Sequence, residues 1–457
     1  MRPLNSNDLP PLPVRMMDTA PWVHLLTDQE RRYAYDANSM SLAALEPDEA
    51  LPEGAHQRPV FELPRTAVQY LVLNLTHACN LRCSYCQVQS YTEDRGSMST
   101  DIAIRAINSF WPPQLKTLPI RIGFFGGEPL MRWSVLCDVV RYACGRTYPA
   151  LPRFHMTTNA TMLDEERARF LAQHKFALTV SIDGPEDVHN QHRKNADGAG
   201  SFSEVRGGLE LIKRFGLAER TTLRGTYTPE TLDRLTDSVA YLNDLIQKGY
   251  GGHVSVEPTF LSELLCLRNE TSQFSIGDEL TARLEVAYRL VADWFVQEVL
   301  AGKRPVFHHF TAFLRRLIWR EPNVSECGAG VGYCTVGVDG TIYACHREAA
   351  TAIGSLSSGI DEERRCFWQD NRLYVRTGCV ECPLRHFCGG GCRERSLSLG
   401  DIRKPVSIEC TLRQIWFACC VRILDQCSWQ TLSLFIKSKR PLPPKGKMCL
   451  AQPVKRD

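Results

Sequence analysis

Six short apolar segments alternate with helix-like segments between residues 68 and 318, and this alternation restricts the fold more than any other feature. The apolar segments predict strands at 71–75, 120–125, 153–156, 176–182, 221–227 and 253–256. The first intervening segment predicts a helix that begins at a Ser99 or Thr100 cap. Strands separated by helices pair in parallel through right-handed crossovers. The sequence therefore predicts an α/β fold with too few units for an eight-stranded barrel.

Three closely spaced cysteines follow the first predicted strand. They are Cys79, Cys83 and Cys86, in the pattern Cys-x3-Cys-x2-Cys. Three thiolates at this spacing can hold three corners of a cubane [4Fe–4S] cluster and leave one iron without a protein ligand. The spacing alone leaves a zinc knuckle or three buried thiols open as the alternative.

The stretch 77–86 resembles the signature of radical S-adenosylmethionine (SAM) enzymes, including the aromatic Tyr85 immediately before the third cysteine. The resemblance implies that the open iron binds SAM, and that reductive cleavage of SAM gives a 5′-deoxyadenosyl radical that abstracts a hydrogen atom. It also implies a partial (β/α)6 barrel with its active site at the carboxyl ends of the strands. The cofactor then supplies the difficult step, and the protein orients the reactants and excludes water.

Motifs after the next predicted strands match the elements with which this family binds SAM. The turn 126–129 reads Gly-Gly-Glu-Pro, in which glycines allow close approach and a carboxylate can accept hydrogen bonds from an ammonium group. Ser181 and Arg193 would contact the ribose and the carboxylate of SAM, unless Arg193 is simply a surface arginine. The complete predicted SAM set is Tyr85, Gly126, Gly127, Glu128, Pro129, Asn159, Ser181 and Arg193.

A second group of cysteines, from 327 to 410, resembles the SPASM extension, which in relatives binds two auxiliary [4Fe–4S] clusters. The resemblance implies an outer cluster held by Cys379, Cys382, Cys388 and Cys410. It implies an inner cluster held by Cys327, Cys345 and Cys392. Cys334 either closes the inner cluster, as a fourth cysteine does in sulfatase-maturing relatives, or is a buried thiol. Core packing is the default explanation for the others, which are Cys137, Cys144, Cys266, Cys366, Cys419, Cys420, Cys427 and Cys449.

Composition excludes several classes of protein. Charged residues make up 23% of the chain and the net charge is +3, which is ordinary for a globular protein. We expect no membrane span, since no run of about 18 apolar residues occurs. An odd count of 19 cysteines without an export signal indicates a reducing cytoplasm and metal ligation. A zinc-stapled nucleic-acid-binding protein is the remote alternative, which the near-neutral charge disfavours.

These patterns divide the chain into four predicted parts. Helices are predicted at about 279–301 and from Phe310, at the end of the second part. The short strands of the first part are either structural or a partial peptide-binding element. The parts are an N-terminal extension (1–66), a radical SAM core (67–320), a SPASM domain (321–428) and a basic disordered tail (429–457).

Within the SPASM group, the sequence resembles maturases that form thioether bonds in six-cysteine peptides and in quinohemoprotein amine dehydrogenase. The stretches that carry this resemblance are 223–228, 254–258, 307–310, 327–330 and 340–346. It implies a cysteine-containing peptide or small protein as substrate, and an electron donor such as flavodoxin or ferredoxin.

Formylglycine formation on a sulfatase, or another oxidation of a peptide, is the alternative activity. Sulfatase-maturing enzymes carry an aspartate, thought to act as base, where this chain has His346. Histidine can also accept a proton near neutral pH. His346 and Glu257 are therefore the catalytic candidates.

Overall fold

The computed structural model describes residues 17–18, 23–28, 31–37, 40–45, 68–86, 96–111, 121–146, 151–259, 278–348 and 351–436. Its strands form one sheet of ten and one separate antiparallel sheet of four. The strands are β1 (Met17–Asp18), β2 (Val23–Asp28), β3 (Arg31–Asp36), β4 (Ser41–Leu45), β5 (Tyr70–Thr76), β6 (Arg121–Gly126), β7 (Arg153–Thr158), β8 (Ala177–Ser181), β9 (Thr221–Tyr227), β10 (His253–Pro258), β11 (Tyr333–Val336), β12 (Thr341–Tyr343), β13 (Ala352–Ser355) and β14 (Gly359–Ile360).

The six predicted strands are β5 to β10, and each lies within two residues of its predicted bounds. They pair in parallel in chain order, from β5 at one side to β10 at the other edge. On the other side of β5 lies β11, also parallel, followed by the antiparallel strands β12 to β14. The α/β class with six parallel strands is confirmed, and the cysteine-rich C-terminal region extends the same sheet.

Helices connect the parallel strands and cover the outer face of the sheet. The first begins after the predicted cap, because the Ser99 hydroxyl accepts a hydrogen bond of 3.2 Å from the Ile102 N–H. The α-helices are α1 (Thr100–Phe110), α2 (Trp133–Gly145), α3 (Glu165–Gln173), α4 (Glu186–His192), α5 (Phe202–Arg214), α6 (Leu235–Gln247), α7 (Asp278–Leu300), α8 (His308–Trp319), α9 (Glu362–Asp370), α10 (Arg385–Cys388), α11 (Arg393–Ser398), α12 (Ser407–Gln426) and α13 (Trp429–Ser433).

Strand alternation separates the apolar core from a polar interior face. Successive side chains of a strand point to opposite faces, and the outward residues of β5, such as Leu71 and Leu73, belong to the apolar core under the helices. The residues between them face the concave side of the parallel strands, which we call the lumen. There Asn74 of β5 pairs with Phe125 of β6, and Ser181 of β8 pairs with Arg224 of β9. The lumen is therefore lined largely by polar and aromatic side chains.

The N-terminal strands pack against the C-terminal region. The predicted strands in 22–46 are present as β2, β3 and β4. Tyr35 is fully buried, and its ring contacts Phe417 of α12 edge-on at 4.8 Å between centroids. This contact gives the strands a structural role, and the binding of a peptide by them stays a prediction.

The tail begins later than predicted. Instead of disorder from residue 429, α13 follows, and Ile436 is buried. The Trp319 indole N–H donates a hydrogen bond of 3.2 Å to the Ile436 carbonyl oxygen, which fixes this end. The rest of the predicted tail, 437–457, lies outside the described residues. None of the helices in the described ranges is both long and apolar enough to cross a membrane.

Candidate active site

The loop with the first three cysteines follows β5 at the carboxyl edge of the parallel strands. Its backbone runs along residues 192–195, where the Arg82 N–H donates to the Lys194 carbonyl (2.7 Å) and the Ser84 N–H donates to the His192 carbonyl (3.1 Å). Within the loop, the Cys86 N–H donates to the Cys83 carbonyl (3.1 Å). These bonds hold the loop independently of any ligand.

Protein donors lie beside two of these thiols. The Asn159 amide nitrogen is 3.9 Å from the Cys79 sulfur, and a guanidinium nitrogen of Arg193 is 3.9 Å from the Cys83 sulfur. Burial raises the pKa of the Cys79 thiol to about 12 and also raises the pKa of Cys83. A bound metal cluster has the opposite effect on the thiol pKa, because a coordinating thiol is deprotonated. The donors beside the two sulfurs are those that thiolates holding a cluster would need.

The zinc alternative finds no ligand set here. A structural zinc ion takes four ligands in a tight tetrahedron. Within the part of the chain that the structure describes, no three Cys, His, Asp or Glu side chains are grouped to hold a single metal ion. A cubane of four irons holds its thiolates farther apart than one zinc ion does, so this result leaves a cluster at the three cysteines open.

The Gly-Gly turn after β6 packs directly on the start of the cysteine loop. A Cβ atom on Gly126, whose φ is +130°, would lie 2.2 Å from the Thr76 carbonyl oxygen. A Cβ atom on Gly127 would lie 2.1 Å from the Ala78 carbonyl oxygen. The Gly127 and Glu128 N–H groups donate to the same two carbonyls, at 2.7 and 2.9 Å. Glycine is required at both positions because the two backbones touch.

We expect Gly127→Ala to lower 5′-deoxyadenosine formation by on the order of a hundredfold, since a displacement of about 1 Å has that effect on a reaction geometry. Chromatography of the nucleoside released with dithionite and SAM measures it. The matched control is Gly207→Ala within α5, where a Cβ meets nothing within 4 Å. Equal activity of both variants would contradict the tight packing of the turn.

The Glu128 carboxylate is used inside the protein. It is 1% exposed and accepts hydrogen bonds from the Leu130 N–H (3.1 Å), the Thr158 hydroxyl (2.7 Å) and the Asn159 N–H (2.8 Å). Burial outweighs these bonds and raises its pKa. Glu128 therefore fixes the turn and the end of β7, and its predicted contact with the SAM ammonium group stays a prediction.

Asp183, just after β8, gathers three groups of the site. One carboxylate oxygen accepts from the Arg193 side chain (3.0 Å) and from the Thr226 N–H (2.9 Å), and the other accepts from the Tyr85 hydroxyl. Arg193 is 8% exposed and lies over the Tyr85 ring at 5.4 Å. Arg193 is thus a buried residue beside the cysteine loop, and the surface alternative is wrong. Sequence reasoning named Ser181, two residues before Asp183, and missed Asp183 as the shared acceptor.

The two catalytic candidates lie on different sides of the lumen. His346 contacts the Phe125 ring edge-on at 4.6 Å, and its Nδ1 is 3.4 Å from the Tyr333 hydroxyl. Burial, with Arg347 and Arg224 nearby, lowers the pKa of His346 to about 3. Glu257 of β10 accepts from the Ser255 hydroxyl at 2.7 Å. The structure does not bring His346 and Glu257 into contact, and Arg224 is close to both.

Glu348 ties the C-terminal region to the cysteine loop. Its carboxylate accepts hydrogen bonds from the Asn74 amide and, at 2.9 Å, from His77 Nε2. It is buried and adopts a left-handed φ of +59°, a conformation that costs a non-glycine residue free energy. His77 is two residues before Cys79, so one side chain links the loop after Cys345 to the loop of the first cluster. Sequence reasoning missed this residue.

The four cysteines of the predicted outer cluster come together. Cys379, Cys382, Cys388 and Cys410 all line one cavity beside α10 and α12. Burial is the largest cause that raises the pKa of Cys410, and the charges of the other three thiols raise it further, to about 12. Four thiols around one cavity match the ligand set of a [4Fe–4S] cluster.

Three of the four candidates for the inner cluster come together. The Tyr333 hydroxyl lies 3.7 Å from the Cys345 sulfur. Burial raises the pKa of Tyr333, and the nearby charges of Cys345, Cys327 and Cys392 raise it further. Cys334, the next residue of β11, points to the opposite face and is fully buried in the apolar core. Its charged neighbours are in α9 instead. The structure therefore gathers Cys327, Cys345 and Cys392 without Cys334.

The other cysteines differ in exposure. Cys144 is exposed and Cys366 is half-buried. Cys266 and Cys449 lie outside the described residues. Buried thiols, consistent with core packing, are Cys137, Cys419, Cys420 and Cys427.

Residues 73–242 match the Radical SAM superfamily. This range contains the cysteine loop, the Gly-Gly turn and the Asp183–Arg193 pair. The protein therefore contains a radical SAM domain and is an enzyme whose cofactors are a [4Fe–4S] cluster and SAM. The resemblance inferred from the sequence is confirmed.

Among the particular proteins that it is similar to are SPASM-type maturases. A cysteine-type anaerobic sulfatase-maturating enzyme of Clostridium perfringens is 24% identical over 372 residues, which cover 74% of this chain and 92% of that enzyme. The structure of native anSMEcpe with bound AdoMet and the Cp18Cys peptide aligns with a TM-score of 0.63 at 20% identity, covering 79% of this chain and 98% of that one.

A second solved structure is Streptococcus suis SuiB bound to its precursor peptide SuiA. It aligns with a TM-score of 0.51 at 14% identity, covering 84% of this chain and 97% of that one. At these identities, both structural alignments establish the fold alone.

Proposed function

We propose that this enzyme oxidises a residue of a peptide or protein substrate, and that it forms formylglycine as sulfatase-maturating enzymes do. The observation that carries the proposal is the similarity to such an enzyme over 74% of this chain and 92% of the relative. The similarity covers far more of the chain than the radical SAM match over 73–242, so it goes beyond what all radical SAM domains share. The thioether reading of the sequence becomes the second candidate.

In formylglycine formation, the reacting cysteine loses a hydrogen atom from its Cβ, then one electron and the thiol proton. Water replaces the sulfur, and sulfide leaves as the aldehyde forms. The bound cluster and SAM supply the radical that abstracts the hydrogen atom. This chain orients them through Asp183, Arg193 and Tyr85, whose mutual contacts fix the carboxyl ends of β8 and the cysteine loop.

His346 is our candidate for accepting the proton. Burial keeps the imidazole neutral at physiological pH, so a nitrogen lone pair is available, and the pKa of about 3 makes His346 a weak base. It lies in the lumen and directly follows Cys345, a predicted ligand of the inner auxiliary cluster. An electron lost by a substrate beside His346 can therefore pass to that cluster. Glu257, on the far side of the lumen, is the other candidate.

We expect His346→Ala to lower product formation at least about tenfold while 5′-deoxyadenosine release continues, because hydrogen abstraction precedes proton loss. The two products are measured in one reaction by liquid chromatography and mass spectrometry. Since His346 titrates at about 3, its protonation should cause no loss of product between about pH 8 and pH 5. A proportional fall of both products would contradict its role as the base.

Thioether formation is the second candidate because of the inner cysteines. Only Cys327, Cys345 and Cys392 are gathered in the described structure, and Cys334 faces away in the core. Three thiolates leave one cluster iron open, and a substrate thiol could bind there. The presence of His346 instead of the aspartate of sulfatase-maturing enzymes also favours this candidate.

A single comparison tests the two candidates. Reconstituted enzyme is incubated with SAM, dithionite and a synthetic peptide from a sulfatase active site or a six-cysteine peptide. Formylglycine exchanges the thiol for an aldehyde that reacts with hydroxylamine, whereas a thioether retains sulfur and loses two hydrogen atoms. Absence of both products on either peptide, while SAM is cleaved, would contradict the proposed function.

We also propose two auxiliary clusters that carry the surplus electron to a flavodoxin or ferredoxin in the cytoplasm, where thiols stay reduced. Support comes from the four thiols that line one cavity and from the three beside Tyr333. We expect about twelve irons per chain in the anaerobically reconstituted enzyme, and about eight in Cys410→Ala. Cys334→Ala is the control and should keep about twelve. A loss of iron in Cys334→Ala would show that Cys334 is a cluster ligand and contradict its place in the apolar core.

A further inference from the structure

A cavity of about 380 Å³ lies between the last parallel strands and α8. Its polar lining includes Arg224 and Glu257 from the strands and His308 from the helix. None of its lining residues belongs to the cysteine loop or to the Gly-Gly turn. The cavity therefore extends the lumen away from the place where SAM is bound. Its remaining lining residues are Thr179, Thr222, His253, Val254, Ser255, Val306 and Thr311.

Four arginines lie close enough together for the charges of three of them to lower the pKa of the fourth. Three of them are neutralised by an acidic partner at ion-pair distance. These pairs are Arg193–Asp183 (3.0 Å), Arg347–Glu394 (3.1 Å) and Arg395–Glu409 (2.7 Å). The fourth is Arg224, in the middle of β9.

Arg224 differs from the other three in having no such partner. Across the ranges that the structure describes, no side-chain hydrogen bond or ion pair within 4 Å involves its guanidinium. Burial, together with the nearby positive charges of Arg347, Arg395 and Arg193, lowers its pKa. Glu257 is the nearest opposite charge, but it accepts from Ser255 and lies 3.6 Å from His309. A largely buried cation without a bonded anion is costly, so the site calls for an anionic ligand.

We propose that Arg224 binds a carboxylate of the peptide substrate, placed in this cavity next to the residue that reacts. The inference rests on the proposed function, and it adds the substrate class: a peptide with an acidic residue or a free carboxyl end near the modified position. The planar guanidinium matches a carboxylate with two parallel hydrogen bonds. SAM also carries a carboxylate, but Arg193 lies at the cysteine loop and Arg224 lines the cavity beyond it.

Equilibrium dialysis of the SAM-loaded holoenzyme tests the site without requiring turnover. The probe is N-acetyl-glutamate N-methylamide, and its neutral control is N-acetyl-glutamine N-methylamide, both at millimolar concentration. We expect the carboxylate probe to bind at least about tenfold more tightly, which is the value of a charged hydrogen bond. Arg224→Gln should remove this preference, and Arg224→Lys should retain part of it.

The matched control variant is Arg214→Gln, an exposed arginine paired with Glu165 at 2.6 Å on the surface. It should bind the probe like the wild type. Iron content and circular dichroism establish that each variant is folded and loaded, and the Arg224→Lys variant covers the case in which glutamine is not tolerated.

Three results with the probes alone would overturn the inference, and a fourth comes from SAM. They are equal binding of the two probes, no binding of the carboxylate probe, and unchanged preference in Arg224→Gln. Competition between probe and SAM, with an equal loss of SAM affinity in Arg224→Gln, would assign the carboxylate to SAM and overturn the substrate assignment. Because the measurement is of binding, its failure is distinct from a failure to form formylglycine or thioether product.

Discussion

Replacing Cys79, Cys83 and Cys86 together by alanine should abolish the release of 5′-deoxyadenosine and remove about four of about twelve irons per chain. The three thiols are the only protein ligands that the first cluster would have, and the iron that binds SAM is part of that cluster. The loop itself should keep its course, because Arg82 and Ser84 hold it to residues 192–195 through backbone hydrogen bonds. The loss is therefore one of metal and not of fold.

Two measurements check this prediction. Anaerobically reconstituted protein is assayed for iron, and the nucleoside formed with dithionite and SAM is quantified by chromatography. Cys144→Ala is the control, since this thiol is exposed and lies outside both cysteine groups. It should change neither value. If the triple variant releases the nucleoside at a rate comparable to the wild type, the assignment of the SAM-binding cluster to this loop is wrong.

The strands and the cysteine loop were predictable because their signals are local. Apolar runs of four to seven residues between helical segments predicted β5 to β10 to within two residues. The spacing of the first three cysteines likewise places them on one short loop. Each of these conclusions needs only neighbouring residues, which a single sequence supplies.

The orientation of Cys334 was not predictable, because it depends on strand register. Tyr333 pairs with Tyr70 and Cys334 with Leu71, and Leu71 faces the apolar core. A shift of one residue would have turned Cys334 to the inner cysteines. The spacing of cysteines along the chain contains no information on this register.

The acidic residues that organise the site were missed for a related reason. Glu348 acts on His77, and Asp183 acts on Tyr85 and Arg193, all through tertiary contacts. In the sequence, Asp183 is an ordinary residue after a strand. Glu348 lies three residues after Cys345, and only Cys345 and His346 were considered as functional residues there. One signal was present, since a carboxylate at the carboxyl end of a parallel strand lies where such folds place their sites.

Asp183→Asn should have the second-largest effect, because it removes the charge that balances Arg193 while keeping the size of the side chain. Breaking a buried ion pair costs about 3–5 kcal/mol, since one charge stays buried without its partner. Asp183 is 1% exposed and its Arg193 contact is 3.0 Å long. Tyr85 and the Thr226 N–H also lose a charged acceptor. We expect the free energy of unfolding to fall by about this amount and the affinity for SAM to fall by on the order of a hundredfold.

An Asp→Asn substitution in an exposed ion pair is the control, because it shows how much the loss of any ion pair lowers the free energy of unfolding. Asp187 of α4 pairs with Arg234 at 2.8 Å, but its side chain is 63% exposed. Because water screens that pair, Asp187→Asn should change the free energy of unfolding by less than about 1 kcal/mol and leave SAM binding unchanged. Denaturant titration and calorimetry with SAM give both values. Equal effects of the two substitutions would mean that packing alone holds Arg193. The Asp183 carboxylate would then not be needed to form the SAM site.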